Sequence, residues 1–423
     1  MSYTDKELAD WADIASARVL FGDCTEKMRE IPSCSIDAIV CDPPYGLSPD
    51  GVARTWSDIE EGRRIGGFMG RGWDAAVPCH NFFAECFRVL KHGGHLIAFS
   101  STRTVFALGM ACQKGGFELR DQIFWCYFSG FPKSHDISKA IDREAGAVRE
   151  VAHLKGKSGK ERMCMQGDYK GEYFETNPAT KEAERWSGFG TALKPAVEPA
   201  LLARKPLEKG LTIAQNVLKH GTGALNIDGC RFGYGDPCWV GPQDGYGRSA
   251  KRSNGTIANI RVGGAVPMGT NRDNAEYAHA QGRWPANLYQ CAKASRSERE
   301  AGLSHLKAKS GADAVQRKEG SAGIDNPRAG AGRTADEIKN FHPTVKPLKL
   351  MRWCCRLVGG QKGSVILDPF GGSGTTGAAA ILEGFDCILI EREPEYLPII
   401  EGRLRWARQE YKRENAQLKL FGG

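Results

Sequence analysis

Ser364-Val365-Ile366-Leu367-Asp368-Pro369-Phe370-Gly371-Gly372-Ser373-Gly374-Thr375-Thr376-Gly377-Ala378-Ala379-Ala380-Ile381-Leu382-Glu383-Gly384-Phe385-Asp386-Cys387-Ile388-Leu389-Ile390-Glu391 is the stretch that decides the fold. The apolar run over 364–370 reads as a buried strand, the glycines after it as a loop, and Gly377 to Gly384 as a helix. A further strand, 386–390, ends at Glu391. Strand, glycine loop, helix, strand and acid in this order make a βαβ unit, which implies an α/β protein with a largely parallel sheet. Gly372-x-Gly374-x-x-Gly377 fits the dinucleotide fingerprint, and Glu391 falls at about the distance of a ribose-binding acid. Read alone, the unit leaves a nicotinamide or flavin site open.

Asp368 and Phe370 place an acid and a ring at the loop entrance. A pyrophosphate would be repelled there, whereas a cofactor with a positively charged amino-acid end and no phosphate is attracted. S-adenosyl-L-methionine has that chemistry, with Glu391 bridging its two ribose hydroxyls as an acceptor.

A second anchor lies near the other end of the chain. Ile36-Asp37-Ala38-Ile39-Val40-Cys41 reads as a buried strand and runs directly into Asp42-Pro43-Pro44-Tyr45. A strand stopped by two prolines presents its last carboxylate and an aromatic ring at the carboxyl edge of a sheet, where ligands of open α/β folds bind. The carboxylate of Asp42 and the main-chain carbonyl of Pro43 suit a nucleobase amine: both accept hydrogen bonds and draw it towards tetrahedral geometry. Pro43-Pro44 holds the carbonyl rigid, and Tyr45 offers a face for a flipped base. The same residues also suit a plain turn.

His342-Pro343-Thr344-Val345-Lys346-Pro347 precedes a helical pattern of Leu348, Met351, Cys354, Cys355, Leu357 and Val358. Thr344 is expected as its N-cap, and the helix start with Lys346 as a receptor for the cofactor's methionine carboxylate.

With these elements in this order, the chain resembles the β class of amino-DNA methyltransferases. The resemblance extends to Phe21-Gly22-Asp23-Cys24, where Asp23 is similar to the family's acid for the cofactor adenine, and to Leu90–Leu96. Trp186–Ala196, Gly221–Asp228 and Arg283–Asn287 are similar to segments of phage- and prophage-type members. It implies a circularly permuted S-adenosylmethionine-dependent methyltransferase fold: a mostly parallel seven-stranded sheet with helices on both faces and an inserted, irregular DNA-recognition region. The implied cofactor-binding set is Asp23, Cys24, His342, Thr344, Lys346, Asp368, Phe370, Gly372, Gly374, Thr375 and Glu391, and the catalytic set Asp42, Pro43, Pro44 and Tyr45. Asp23, Asp42, Asp368 and Glu391 are expected to leave carboxyl strand ends into one crevice. The expected domains are 1–150, a catalytic half; 151–340, target recognition; and 341–423, a cofactor-binding half.

The remaining features bound the reading. The 423 residues carry 26% charged residues and a net charge of +8, which suits a polyanionic partner without requiring one. No run approaches the ~20 apolar residues of a membrane span, and the first residues show no signal-peptide pattern, so a cytoplasmic protein is expected. The fourteen cysteines are scattered without a Cys-x-x-Cys pair, which favours buried free thiols over a zinc site. From about 150 to 340 periodicity weakens. Basic segments such as Lys155–Lys160 mix there with Tyr169, Tyr173, Phe174, Trp186, Trp239 and Tyr246, suiting phosphate contact and base stacking. Gly62–Trp73 reads as a Gly/Arg-rich loop, and 394–418 as a basic helix whose Arg403, Arg405, Arg408, Lys412 and Arg413 form a solvated face. The expected activity is methylation of adenine N6 in double-stranded DNA by a homodimer without a partner nuclease. Cytosine N4 is the nearest alternative, then a cofactor-binding recognition protein without activity, then a nicotinamide oxidoreductase.

Overall fold

The computed structural model describes residues 17–46, 76–130, 134–157, 172–233, 236–238, 282–309 and 338–421. The Gly62–Trp73 loop, Tyr169, Trp239, Tyr246, and most of the irregular stretches 241–282 and 309–333 lie outside the described residues, as do the side chains of Tyr173 and Phe174. The chain divides into two compact units: residues 1–126, 197–308 and 339–423 form one, and 127–196 with 309–338 the other.

The larger unit is built on an eight-stranded sheet. In chain order its strands are β1 (Ala17–Phe21), β2 (Ile36–Cys41), β3 (Leu90–Phe99), β4 (Glu118–Cys126), β7 (Val197–Arg204), β8 (Leu288–Gln290), β9 (Val365–Asp368) and β10 (Asp386–Glu391). Their spatial order is β1-β10-β9-β2-β3-β7-β4-β8. All pairings are parallel except those of β7, which runs antiparallel to β3 and β4. The C-terminal strands β9 and β10 thus insert between β1 and β2, the permuted arrangement expected. The eighth strand, beyond the seven expected, is the three-residue β8 on the edge. β7 arises from the region assigned to target recognition, where Pro199 and Glu198 disguise an otherwise apolar run.

Ile36, Ile39 and Cys41 of β2 and Leu96 and Ala98 of β3 enter a core with Phe82, Phe83, Leu108 and Ala111. Those last four belong to α2 (His80–Val89) and α3 (Val105–Lys114), which follow the short α1 (Cys24–Met28). The alternate strand residues Ala38, Val40, Ile97 and Phe99 are buried as well. They belong to the other face of a strand, and α8 (Leu348–Val358), which follows α6 (Ile213–His220) and α7 (Arg296–Arg299) in the chain, packs on β2 and β3. Burial on both faces is why these strands read as unbroken apolar runs. Gly93 and Gly94 lie inside β3: the helix ends at Val89 and Leu90 is already extended. A Cβ at Gly94 would lie 2.1 Å from a Leu90 methyl and 2.9 Å from the Asp37 carbonyl, so only glycine fits.

The smaller unit holds α4 (Ile137–Glu144), the antiparallel pair β5 (Val151–Lys157) and β6 (Glu172–Thr176), and α5 (Lys181–Arg185). Its polar centre is Asp142, which accepts from Arg149 at 2.5 Å and from the Ala179 and Thr180 amides and the Thr180 hydroxyl. Trp186 and Phe189 pack edge to face at 5.0 Å and remain half exposed. No helix among the described residues is long and apolar enough to cross a membrane.

One buried acid joins the C-terminal strands to β2. Asp37 accepts from the Val365 amide at 2.8 Å and from Lys91 at 2.5 Å. Replacing Asp37 by Ala is expected to cost about 2–3 kcal/mol, the range for a buried charged hydrogen-bond partner whose donor is left unpaired. Urea denaturation with an unchanged slope checks it, and a change below about 0.5 kcal/mol would contradict it.

Candidate active site

Four parallel neighbours, β1, β10, β9 and β2, end on the same edge of the sheet. Asp42 follows β2, Asp23 lies two residues past β1, and Asp368 and Glu391 are the last residues of β9 and β10. The acids expected at carboxyl strand ends stand there.

Around Asp42 the structure assembles a network reaching 304 residues along the chain. Lys346 donates to Asp42 Oδ2 at 2.6 Å and to the Tyr45 hydroxyl at 3.0 Å, and its Nζ lies 3.3 Å from Glu198 Oε2. The Tyr45 hydroxyl donates to the same Glu198 oxygen at 3.1 Å, and the Thr104 hydroxyl holds the Tyr45 carbonyl at 3.0 Å. The rings of Tyr45, Phe99 and Trp125 surround the ammonium, with centroids at 5.1, 5.2 and 5.9 Å. Lys346 is 6% exposed. Burial opposes its charge, but Asp42 and Glu198 outweigh burial and hold its pKa above the ordinary lysine value. Burial raises the pKa of Asp42 while Lys346 pulls it back, and the net shift is upward. Asp42 Oδ1 is buried and has no hydrogen-bond partner among the described residues.

Lys346 thus differs from its expected place: its ammonium lies on Asp42. Thr344 is exposed and not the N-cap of α8. That position belongs to Pro347, and the first helical amide, of Leu348, donates to Glu298. Glu198 was missing from the sequence reading. Its signal was a carboxylate inside the apolar run of β7, a place a charge occupies only when paired.

The second cluster surrounds the glycine loop. Asp368 is 3% exposed and accepts from the Phe370 amide at 3.0 Å. Burial, with the charges of Asp42 and Glu391, raises it to about 8 against the pull of Thr376 and the Phe370 amide. Glu391 accepts from the Gly372 amide at 2.6 Å and the Glu393 amide at 2.7 Å, so it shapes the loop. Burial raises it to about 7. Gly372 and Gly374 have φ of +53° and +73°. A Cβ on them would come within 3.0 Å of the His342 ring and 3.1 Å of Ile400 Cα, so both conformation and space require glycine. His342 is buried edge-on against Tyr396 at 4.6 Å, and its Nδ1 hydrogen donates to the Thr344 carbonyl at 2.7 Å. Phe370 lies against Phe82 at 5.0 Å.

Thr375 begins α9 (Thr375–Leu382) and receives the guanidinium of Arg403 at 2.7 Å. Arg403 also donates to the Ser373 carbonyl at 3.1 Å. It belongs to α10 (Leu397–Phe421) and is fully buried, so it is no part of a solvated face. Its Nε and Nη2 lack partners among the described residues. Burial lowers its pKa to about 10. Asp23 caps α1 through one oxygen, accepting from the Thr25 amide at 2.9 Å. Burial, then Asp23, pushes the neighbouring Cys24 thiol up to about 12, so it stays protonated.

The chain is similar to known DNA methylases. A family model for DNA methylases of the N6/N4 type matches residues 36–402. Type II methyltransferase M.HinfI of Haemophilus influenzae is 31% identical over 115 residues, 25% of this chain and 30% of the relative. Type II methyltransferase M.HindIII of the same species is 25% identical over 228 residues, 48% of this chain and 63% of the relative. DNA adenine methyltransferase YhdJ of Escherichia coli is 29% identical over 113 residues, 26% and 33% of the two. The match therefore spans less than two thirds of each of these relatives. Among solved structures, the cytosine-N4-specific PvuII DNA methyltransferase superposes with a TM-score of 0.43 at 15% identity, covering 94% of this chain and 92% of its own. M1.HpyAVI with SAM gives 0.37 at 14% identity, covering 92% and 99%.

The raised acids fix a pH dependence. Unfolded, Asp368 and Glu391 ionise near pH 4; folded, they hold their protons to about 8 and 7. The folded state therefore binds more protons between those limits, and stability falls as pH rises through that window. Asp368→Asn keeps an acceptor for Phe370 and cannot ionise. Without added ligand it is expected to melt higher than the parent at pH 8 and nearly alike at pH 5. Equal melting at pH 8 would contradict the assignment.

Proposed function

The chain belongs to the N6/N4 family of DNA methylases, and from that footing we propose that it transfers a methyl group from S-adenosyl-L-methionine to adenine N6. The substrate is a specific double-stranded DNA sequence from which the target base is flipped. The observation that carries the reading is that Asp42-Pro43-Pro44-Tyr45 leaves the sheet on the same edge as Asp368, the glycine loop and Glu391. Transfer between two substrates needs that convergence.

The residues present fit the cofactor. Asp368 and Glu391 are buried carboxylates with no salt-bridge partner among the described residues, a setting that favours a cationic ligand. Gly372 and Gly374 keep the backbone open beside them. Glu391 would hold the ribose hydroxyls and Asp23 the adenine, with Cys24, His342, Phe370 and Thr375 lining the site. When bound, the cofactor supplies an electrophilic methyl group on a sulfonium. Asp42 and the Pro43 carbonyl accept hydrogen bonds from the exocyclic amine, and the Pro43-Pro44 pair keeps that carbonyl from turning away. Tyr45 stacks on the extruded base. The choice of adenine over cytosine N4 rests on Asp42, since in the resembling family an acid at that place goes with adenine more often and serine with cytosine. Residues in 151–340 supply the base and phosphate contacts, the working form is a homodimer, and the protein acts in the cytoplasm.

The test is to incubate the protein with unmethylated DNA and S-adenosyl-L-methionine, digest to nucleosides and identify the product by mass spectrometry. N6-methyladenine is expected. N4-methylcytosine would overturn the base assignment, and absence of either would overturn the activity. Asp42→Ala is expected to lower turnover by about 100-fold or more, with cofactor affinity kept within about threefold by calorimetry; full turnover in that variant would refute its role.

A further inference from the structure

We propose that Lys346 and Glu198 act with Asp42 as one proton-accepting unit: Lys346 occupies one oxygen of Asp42 and leaves the other for the target amine, and Glu198 keeps Lys346 paired once Asp42 takes up the amine's proton. The proposal rests on the methyl-transfer reading above and deepens it. Lys346 has three N–H donors, and three oxygens surround its Nζ, those of Asp42, Tyr45 and Glu198 at 2.6, 3.0 and 3.3 Å. Its donors are thereby spent. Asp42 Oδ2 is held by the ammonium, while Oδ1 is buried without a partner among the described residues. A buried acceptor left so is costly unless a ligand supplies the donor, and an exocyclic N–H is such a donor.

Charge explains why two carboxylates share one lysine. With both ionised, the three groups sum to −1. In the transfer, the amine lone pair forms the N–C bond while the C–S bond breaks, its electron pair going to sulfur. The nitrogen is then positively charged and carries one proton too many. That proton passes to Asp42 Oδ1: an O–H bond forms, and the N–H pair returns to nitrogen. Asp42 is now neutral, and Lys346 remains balanced by Glu198. Were Asp42 the sole counter-ion, its protonation would strand an ammonium among the rings of Tyr45, Phe99 and Trp125.

The groups that bear on Asp42 come from every neighbouring element. Lys346 comes from the segment before α8, Glu198 from β7, Tyr45 from the same loop, Cys41 from β2 and Asp368 from β9. Cys41 is held protonated by burial. Of the rest, Lys346 lowers the pKa of Asp42, while Glu198 raises it. Removing Glu198 must therefore make Asp42 more acidic and a poorer proton acceptor, and removing Lys346 must do the reverse.

The experiment has two arms. In the cofactor-free protein, selectively 13C-labelled aspartate follows the titration of Asp42, assigned by its loss in Asp42→Asn. Glu198→Gln is expected to move that titration to lower pH and Lys346→Gln to higher pH, with circular dichroism checking that each variant is folded. An unmoved titration in Glu198→Gln overturns the proposal. In the second arm, single-turnover methylation by Glu198→Gln is expected to slow about 10- to 100-fold, at the low end of what a proton-transfer group contributes. The KM for cofactor should stay unchanged, the acid limb of the pH profile should shift downward, and Glu198→Asp should restore part of the rate. A slower variant with an unshifted acid limb would make Glu198 a packing residue and overturn the proposal. A parent protein that forms no methylated base while its Asp42 still responds to both substitutions would defeat the methyl-transfer reading, and the proton step with it.

Discussion

Parallel pairing of β2 with β9 is the contact on which the rest of the structure depends. It joins strands whose linking hydrogen bond, Val365 to Asp37, spans 328 positions. Only through it do a carboxylate near residue 40 and a glycine loop near residue 370 come to one sheet edge. The entropy of closing so long a loop grows only as the logarithm of its length, so the separation adds little beyond that of an ordinary long connection. Its consequence is kinetic: non-local parallel pairing must wait until both ends of the chain exist, which makes such a sheet slow to form.

The same convergence creates an electrostatic problem. Asp42, Asp368 and Glu391 are all pushed upward, in each case first by burial. Among the described residues, Lys346 is tied to Asp42, while Asp368 and Glu391 are met by amides and a hydroxyl and not by a cation. Arg403 sits on the other side of the loop, with part of its guanidinium unpartnered among the described residues. Stability is thus given up at the place where function concentrates, the usual relation between an active site and its scaffold. Such a site is relieved by a ligand carrying positive charge, which is why the raised acids and the proposed cofactor belong to one argument.

Much of this was legible in the sequence wherever signals were local. The strand–loop–helix–strand unit at 364–391 and the strand before Asp42 each carry apolar runs and breakers that need no tertiary context, and they hold with shifts of a residue or two. Three kinds of feature were not legible. β8 is too short for any periodic signal. β7 hides because Glu198 and Pro199 interrupt it, and its antiparallel direction depends on which neighbours it finds. Side-chain destination is the third. Arg403 is one of six basic residues spread along α10, and composition cannot tell which of them turns inward. Only the helix's docking against Ser373 and Thr375 decides that.

Lys346 shows most sharply where motif reading stops. Its position, two residues past Thr344 and two before the start of α8, fits a helix-start anion site as well as it fits a partner for a distant carboxylate. Sequence spacing does not distinguish them. Coordination does. An ammonium whose three donors meet Asp42, Tyr45 and Glu198, inside a box of three aromatic rings, has none left for a second anion, and moving it would strand two carboxylates. Lys346 and Arg403, two of the buried cations of this unit, therefore divide the strand ends between them. Lys346 belongs to the half built on β2 and β7, where the amine is expected, and Arg403 to the half built on the glycine loop, where it fixes Ser373 and Thr375.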